Sequence, residues 1–99
     1  MDVILLYFED CPNWQTAEGH LELLALEVPD LRLSRHLVDT AEEAERVGFA
    51  GSPSILIDGI DPFAEPNFPA GLSCRMYQSP AGPAGSPTLD QLRKVLSDV

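Results

Sequence analysis

The sequence predicts an α/β fold: a four-stranded mixed sheet with helices on both faces, in the order β-α-β-α-β-β-α, as a single domain over residues 1–99. Three observations carry this. Val3-Ile4-Leu5-Leu6-Tyr7-Phe8 is an unbroken apolar run with the β-branched and aromatic content of a strand covered on both faces. Trp14, Ala17, Leu21, Leu24 and Val28 recur at spacings of three or four, one apolar stripe of a helix. Strand-like and helix-like segments then alternate along the chain, the pattern of parallel strands joined by right-handed crossovers. Ninety-nine residues close one hydrophobic core with little to spare.

Each element has its own local signals. Pro12 fits the first helical position, where its missing N–H costs nothing, and Val28-Pro29-Asp30 stops that helix. Leu31 to Val38 alternates in part, with Leu31, Leu33 and Leu37 against Arg32, Ser34 and His36, as a second strand does. Thr40 followed by Glu43 is a capping box, opening a short helix through about Val47 that Gly48 ends. Gly51-Ser52-Pro53 reads as a turn, and Ser54-Ile55-Leu56-Ile57-Asp58 as a third strand closed by Gly59. Residues 60–72, with Pro62, Pro66 and Pro69, form a long irregular loop. Ser73-Cys74-Arg75-Met76-Tyr77 is a fourth strand, free to pair antiparallel with the third because no helix separates them. The Pro/Gly-rich stretch Ser79 to Ser86 leads into a last helix with Pro87 near its start, which packs Leu89, Leu92, Val95 and Leu96.

Charge narrows the partners. Sixteen acidic residues against six basic ones give a net charge of −10, and Lys94 is the only lysine. Phosphate backbones bind to clustered Lys and Arg, so neither DNA nor RNA is expected as a partner, and anionic membrane surfaces are repelled. The N-terminal apolar run lacks a basic leader and, at about six residues, is shorter than a signal-peptide core or a membrane span, which points to the cytoplasm. A reducing compartment would keep Cys11 and Cys74 as thiols at rest. Those cysteines and His20 and His36 are scattered without short ligand spacing, so no metal site is expected. Glu42, Glu43 and Glu45, with Asp58 and Asp61, read as a solvated acidic surface, the helical run serving the helix dipole. His20 falls on an exposed part of the first helix, and neither histidine is given a catalytic role. Phe63 and Phe68 in the long loop are either core plugs or an exposed contact patch. Nothing in the sequence fixes the oligomeric state.

Cys11 carries the chemistry. A thiol at a helix N-terminus meets unpaired backbone N–H groups and the positive end of the helix dipole, which favour the thiolate. Glu9 and Asp10 beside it oppose a further negative charge. The expected outcome is a pKa below the free-thiol value of about 8.5 but not in the extreme range near 3.5. Cys74 is read differently. It sits near the start of an antiparallel fourth strand, roughly 10 Å from the Cys11 end at about 3.4 Å per residue. A disulfide needs Cα atoms within about 7 Å, so Cys74 is expected to be a buried structural cysteine, with a role as a second thiol as the alternative.

The order of elements, Cys11-Pro12-Asn13-Trp14 after the first strand, and Gly48-Phe49-Ala50-Gly51-Ser52-Pro53-Ser54-Ile55-Leu56-Ile57 resemble the minimal, glutaredoxin-like form of the thioredoxin fold over almost the whole chain. With Asp58-Gly59, Asp61-Pro62-Phe63 and Gly71-Leu72-Ser73-Cys74-Arg75, these blocks look like a group of small bacterial thioredoxin-like proteins. Some of that group carry selenocysteine in place of the cysteine, and some are labelled as related to alkylmercury lyase. The resemblance implies a cis Ser52–Pro53 bond that exposes the Ser52 N–H and C=O beside Cys11, where an extended peptide or glutathione would pair. Pro12, Trp14, Ser52 and Pro53 would then form the substrate-binding surface around catalytic Cys11. Trp14 stands where a dithiol enzyme of the family has its second cysteine. An adduct on Cys11 would therefore be resolved by glutathione or another small cellular thiol as co-substrate, as in monothiol glutaredoxins, or by Cys74. Trp14 also reads as the first residue of the apolar stripe. Ser79 to Ser86 would lie before the last helix, as a seat for a small carboxylate or as a flexible connector.

The function expected is thus a thiol–disulfide oxidoreductase acting through a single reactive cysteine, with no bound cofactor. Its substrates would be disulfides or thiol adducts, protein or small-molecule, or peroxides. Two other readings stand beside it. One is a non-catalytic binding module using Phe63 and Phe68. The other is soft-metal thiolate binding of the mercury type, for which the chain lacks the length and clustered cysteines of a lyase.

Overall fold

The N-terminal apolar run becomes the central strand. In the computed structural model, which describes residues 1–64 and 71–97, the chain runs β1 (Asp2–Tyr7), α1 (Trp14–Glu27), β2 (Arg32–Leu37), α2 (Ala41–Val47), β3 (Ala50–Ser52), β4 (Ser54–Ile57), β5 (Gly71–Cys74), β6 (Tyr77–Ser79), β7 (Gly82–Ala84) and α3 (Leu89–Ser97). β1 lies between β2 and β4. It pairs parallel with β2, Val3 opposite Leu33 and Leu6 opposite His36, and antiparallel with β4, Val3 opposite Ile57 and Leu6 opposite Ser54. Two further pairs are separate ladders, β3 parallel to β5 and β6 antiparallel to β7.

Because side chains alternate across a strand, β1 supplies two cores. Val3 and Leu5, with Ile55 and Ile57 of β4, pack under Ala17, Leu21 and Leu24 of α1 and Leu92 and Leu96 of α3. Leu6 packs on the opposite face with Val38, Ala44 of α2 and Phe49, joined by Ile4, Leu56 and Leu72. Helices therefore cover both faces. The α1 stripe is the one its spacing predicts, with Trp14 and Val28 partly buried at its ends. At α2 the Thr40 side chain accepts the Glu43 N–H, and Gly48 takes the left-handed conformation (φ 70°) that ends the helix. Pro12 is not the first helical residue: it lies in the turn before Asn13, and its carbonyl accepts the Gln15 N–H.

The sheet differs from the expected one in two ways. The third core strand, β4, is antiparallel to β1 rather than a parallel crossover partner. At about 1.5 Å per residue, the seven residues of α2 return only about half the length of β1. The chain then climbs back as β3, so Gly51-Ser52 is the end of a short strand rather than a turn, and reverses at Pro53 beside the exit of β1. No fourth strand joins β4 among the described residues. The segment read as one strand is broken at the buried Arg75, leaving β5 against β3 and β6 against β7.

His20 also departs from expectation, being half-buried, with Nδ1 enclosed and without a partner among the described residues. Phe63 packs partly buried against the core and meets Tyr77 edge-on, with ring centroids 5.3 Å apart. Phe68, Pro66 and Pro69 lie outside the described residues. Among the described residues no helix is long and apolar enough to cross a membrane.

Glu43 does more than solvate the surface. Its carboxylate accepts from Arg46 Nε at 2.9 Å and lies 2.9 Å from His36 Nε2, linking α2 to the edge strand β2. The Arg46 guanidinium first, and His36 second, hold its carboxyl down at about 2. A depressed carboxyl stabilises the fold above its unfolded value and loses that contribution as the proton binds. The expected outcome is a stability term present above about pH 4.5 and lost as pH falls towards about 2. Denaturation midpoints measured against pH should show this acid limb in the wild type and a flatter one in Glu43→Gln.

Candidate active site

The two cysteines are bonded to each other. Cys11 and Cys74 form a disulfide with an S–S distance of 2.01 Å and Cα atoms 5.7 Å apart, across a sequence separation of 63. This corrects the expected placement of Cys74 some 10 Å away. The strand that carries it is not an antiparallel neighbour of the third core strand. It runs parallel to the short β3, in a register that sets Cys74 opposite Ser52. Nor is Cys74 a buried structural cysteine. Its residue is exposed, whereas Cys11 is 3% exposed.

Ser52 lies between the two halves of the bridge. Its Oγ accepts the Phe8 N–H at 3.0 Å, and the Phe8 carbonyl accepts the Cys11 N–H at 3.1 Å, which fixes the turn from β1 into α1. On its other flank the Ser52 carbonyl accepts the Arg75 N–H at 3.0 Å, which fixes the end of β5. The Ser52–Pro53 bond is cis and both residues are buried. The Ser52 carbonyl, read from the sequence as open to an incoming peptide, is thus filled by the chain's own Arg75.

Arg75 anchors this side. Its side chain is 4% exposed, and Nη1 donates to Asp61 Oδ2 at 2.7 Å and to Ser54 Oγ at 3.3 Å. Nη2 donates to the Phe63 carbonyl at 2.5 Å, and the guanidinium lies 4.7 Å from the Tyr77 ring centroid. Burial raises the Tyr77 pKa, so the phenol stays protonated and donates to the Pro53 carbonyl at 2.5 Å. Gly51 makes room for the crossing: at φ +103°, a Cβ there would come within 2.9 Å of Arg75 Cβ. Sequence patterns alone give Arg75 and Tyr77 no part in the site and place Asp61 on the surface. The signal available was a lone arginine inside an apolar strand.

The other predicted site residues take different places. Trp14 packs partly buried against the α1 core, its ring centroid 4.5 Å from that of Tyr7, with the Arg35 guanidinium 5.4 Å from its ring. Glu18 holds Arg35 there at 3.0 Å. Pro12 and Asn13 are exposed in the turn beyond Cys11. Gly85, in the Pro/Gly-rich stretch, lies so close that a Cβ on it would collide with the Asn13 side chain. That stretch therefore reaches the cysteine end of the molecule. Asn13 makes no side-chain cap bond, and the first turn of α1 holds no acidic residue, so the helix dipole there is not offset from within. Among the described residues no group of three or more His, Cys, Asp or Glu is arranged to hold a metal ion.

Compared with protein-family models, with curated proteins and with solved structures, the chain finds no match in any of the three.

Two measurements test this architecture. Asp61→Ala leaves the buried Arg75 cation without its carboxylate, and because Asp61 keeps some solvent contact the expected loss is at the low end of the range for a broken buried pair, about 3 kcal/mol by urea unfolding. Closing a loop over a separation of 63 residues restricts the unfolded chain, so reducing the disulfide should lower stability by at most about 4 kcal/mol. Parallel unfolding curves with and without reductant give that difference.

Proposed function

We propose that this chain is a thiol–disulfide exchange protein of thioredoxin-like fold, working through the Cys11–Cys74 pair rather than through Cys11 alone. The observation that carries the reading is the bridge itself, which joins a cysteine at the start of a helix to a cysteine at the surface. The family reading is supported by two features that the resemblance names, the cysteine just ahead of α1 and the cis Ser52–Pro53 bond leading into the third core strand.

The chemistry needs no bound cofactor. The reduced pair transfers two electrons to an outside disulfide: one thiolate attacks, a mixed disulfide forms, and the second thiol displaces the remaining half. The outside disulfide becomes two thiols and the chain closes its own bridge. An outside thiol pool, glutathione or another small thiol, runs the step in reverse. In this reading Trp14 need not be a cysteine, because Cys74 supplies the second sulfur that Trp14 cannot. The protein works in the cytoplasm, where such a bridge is a passing state of a catalytic or sensing cycle rather than a permanent staple. Its net charge of −10 slows the approach of anionic thiols relative to neutral ones at low ionic strength.

The test is a stoichiometric one. Fully reduced protein, freed of reductant, should convert a small reporter disulfide to thiols, one disulfide per chain, and end with Cys11 bonded to Cys74. Cys11→Ser and Cys74→Ser should each stop at a mixed disulfide with half of the reporter, visible by intact mass. Reduced wild-type protein that leaves the reporter unchanged would remove the reading.

A further inference from the structure

We propose that Cys74, not Cys11, is the sulfur that bonds to the outside partner, and that Cys11 is the internal thiol that closes the cycle. This rests on the exchange reading above and assigns its direction.

A thiolate displaces one sulfur of a disulfide from the other, and which sulfur it strikes depends on access and on how well the departing sulfur holds negative charge. Both criteria select the same outcome here. Cys74 is exposed, whereas Cys11 is 3% exposed. Attack on Cys74 sends Cys11 away as the thiolate. Cys11 stands just ahead of the 14-residue α1, whose cap makes no side-chain bond and whose first turn has no acidic residue. The dipole of that helix is therefore free to favour the departing anion, with Glu9 and Asp10 opposing it in part. Attack on Cys11 would require passage to a buried sulfur and would leave the charge on Cys74, whose neighbour Arg75 already has Asp61 as its counter-ion.

The step balances as follows. The outside thiolate forms a bond to Cys74 Sγ, the Cys11–Cys74 bond breaks, and its electron pair stays on Cys11 Sγ. A second outside thiolate then attacks the partner's sulfur in the mixed disulfide. It forms the partner disulfide and releases Cys74 as a thiolate that takes a proton from water. In reverse, Cys74 attacks the outside disulfide, and Cys11 then attacks Cys74 Sγ and expels the second partner thiol. Cys74 is well held for this return. Its strand is bonded to Ser52 through the Arg75 N–H, and the Arg75 side chain is tied to Asp61, Ser54 and the Phe63 carbonyl. Bonding to a partner at Cys74 thus does not require β5 to leave Cys11.

The test uses the oxidised wild-type protein and 2-mercaptoethanol. The reaction is quenched early with acid, free thiols are alkylated, and peptides are mapped by mass spectrometry. The expected product carries mercaptoethanol on Cys74 and the alkyl group on Cys11, in excess over the reverse arrangement on the order of tenfold. As a second arm, reduced Cys11→Ser should react with a small reporter disulfide faster than reduced Cys74→Ser, also on the order of tenfold. Circular dichroism spectra matching the wild type are the control that both variants are folded. Adduct found mainly on Cys11, or the opposite order of rates, overturns this assignment while leaving the exchange reading intact. Oxidised protein that mercaptoethanol and dithiothreitol both leave unreduced overturns the two together.

Discussion

Ser52 Oγ accepts the Phe8 N–H while the Ser52 carbonyl accepts the N–H of Arg75, each at 3.0 Å, so one buried residue clamps the exit of the central strand to the strand carrying Cys74. The serine hydroxyl and its backbone serve opposite flanks. On one flank the held turn delivers Cys11, and on the other the three-residue β3 offers β5 a partner. A hydroxyl at this position can satisfy the Phe8 N–H, which would otherwise be a part-buried donor without an acceptor. The reversal at Pro53 turns the chain immediately into β4, so the same corner also sets the direction of the third core strand.

Arg75 is the complementary constraint on the far side. A guanidinium this deeply enclosed loses most of its hydration, and the loss is offset only where several acceptors are aligned with it. Asp61 supplies the charge, Ser54 and Phe63 supply oxygen, and Tyr77 supplies a ring face. These partners come from three stretches of chain, which Tyr77 also links through the Pro53 carbonyl and the Phe63 ring, and Arg75 gathers them next to Cys74. The net contribution of such a cluster is small compared with the cost of breaking it. Its value here is geometric, since it fixes one register for a strand only four residues long.

What the sequence disclosed follows the range of the interactions involved. The Thr40–Glu43 cap, the Gly48 stop and the α1 stripe are local signals, and they were legible to within a residue or two. The central strand was legible because a strand covered on both faces has no polar alternation to confuse it. The position of Cys74 was not legible, because it was measured along an assumed four-stranded sheet. Counting from Tyr77 gives a true distance only if residues 73–77 form one continuous strand, and Arg75 interrupts them. β3 was hidden for a similar reason: Gly-Ser-Pro has the composition of a turn, and nothing local shows that a strand beginning 21 residues after Ala50 will pair with it. The burial of Arg75 and of Ser52 is likewise decided by partners far away in the chain. Trp14 was legible as a core residue, and the ring of Tyr7 against it is a contact that the helical spacing alone does not name.

The Cys11–Cys74 bond closes the chain into a covalent ring that takes in α1, β2, α2, β3, β4 and β5, leaving β1 as one tail and the β6–β7 hairpin with α3 as the other. Both tails contribute to the principal core, through Val3 and Leu5 at one end and Leu92 and Leu96 at the other, yet neither is enclosed by the ring. A single backbone cut anywhere inside the ring would leave the two pieces covalently joined, whereas a cut in either tail would free a fragment. The oxidised and reduced forms are thus different topological objects built from one sequence, and the loss of a single bond turns the first into the second.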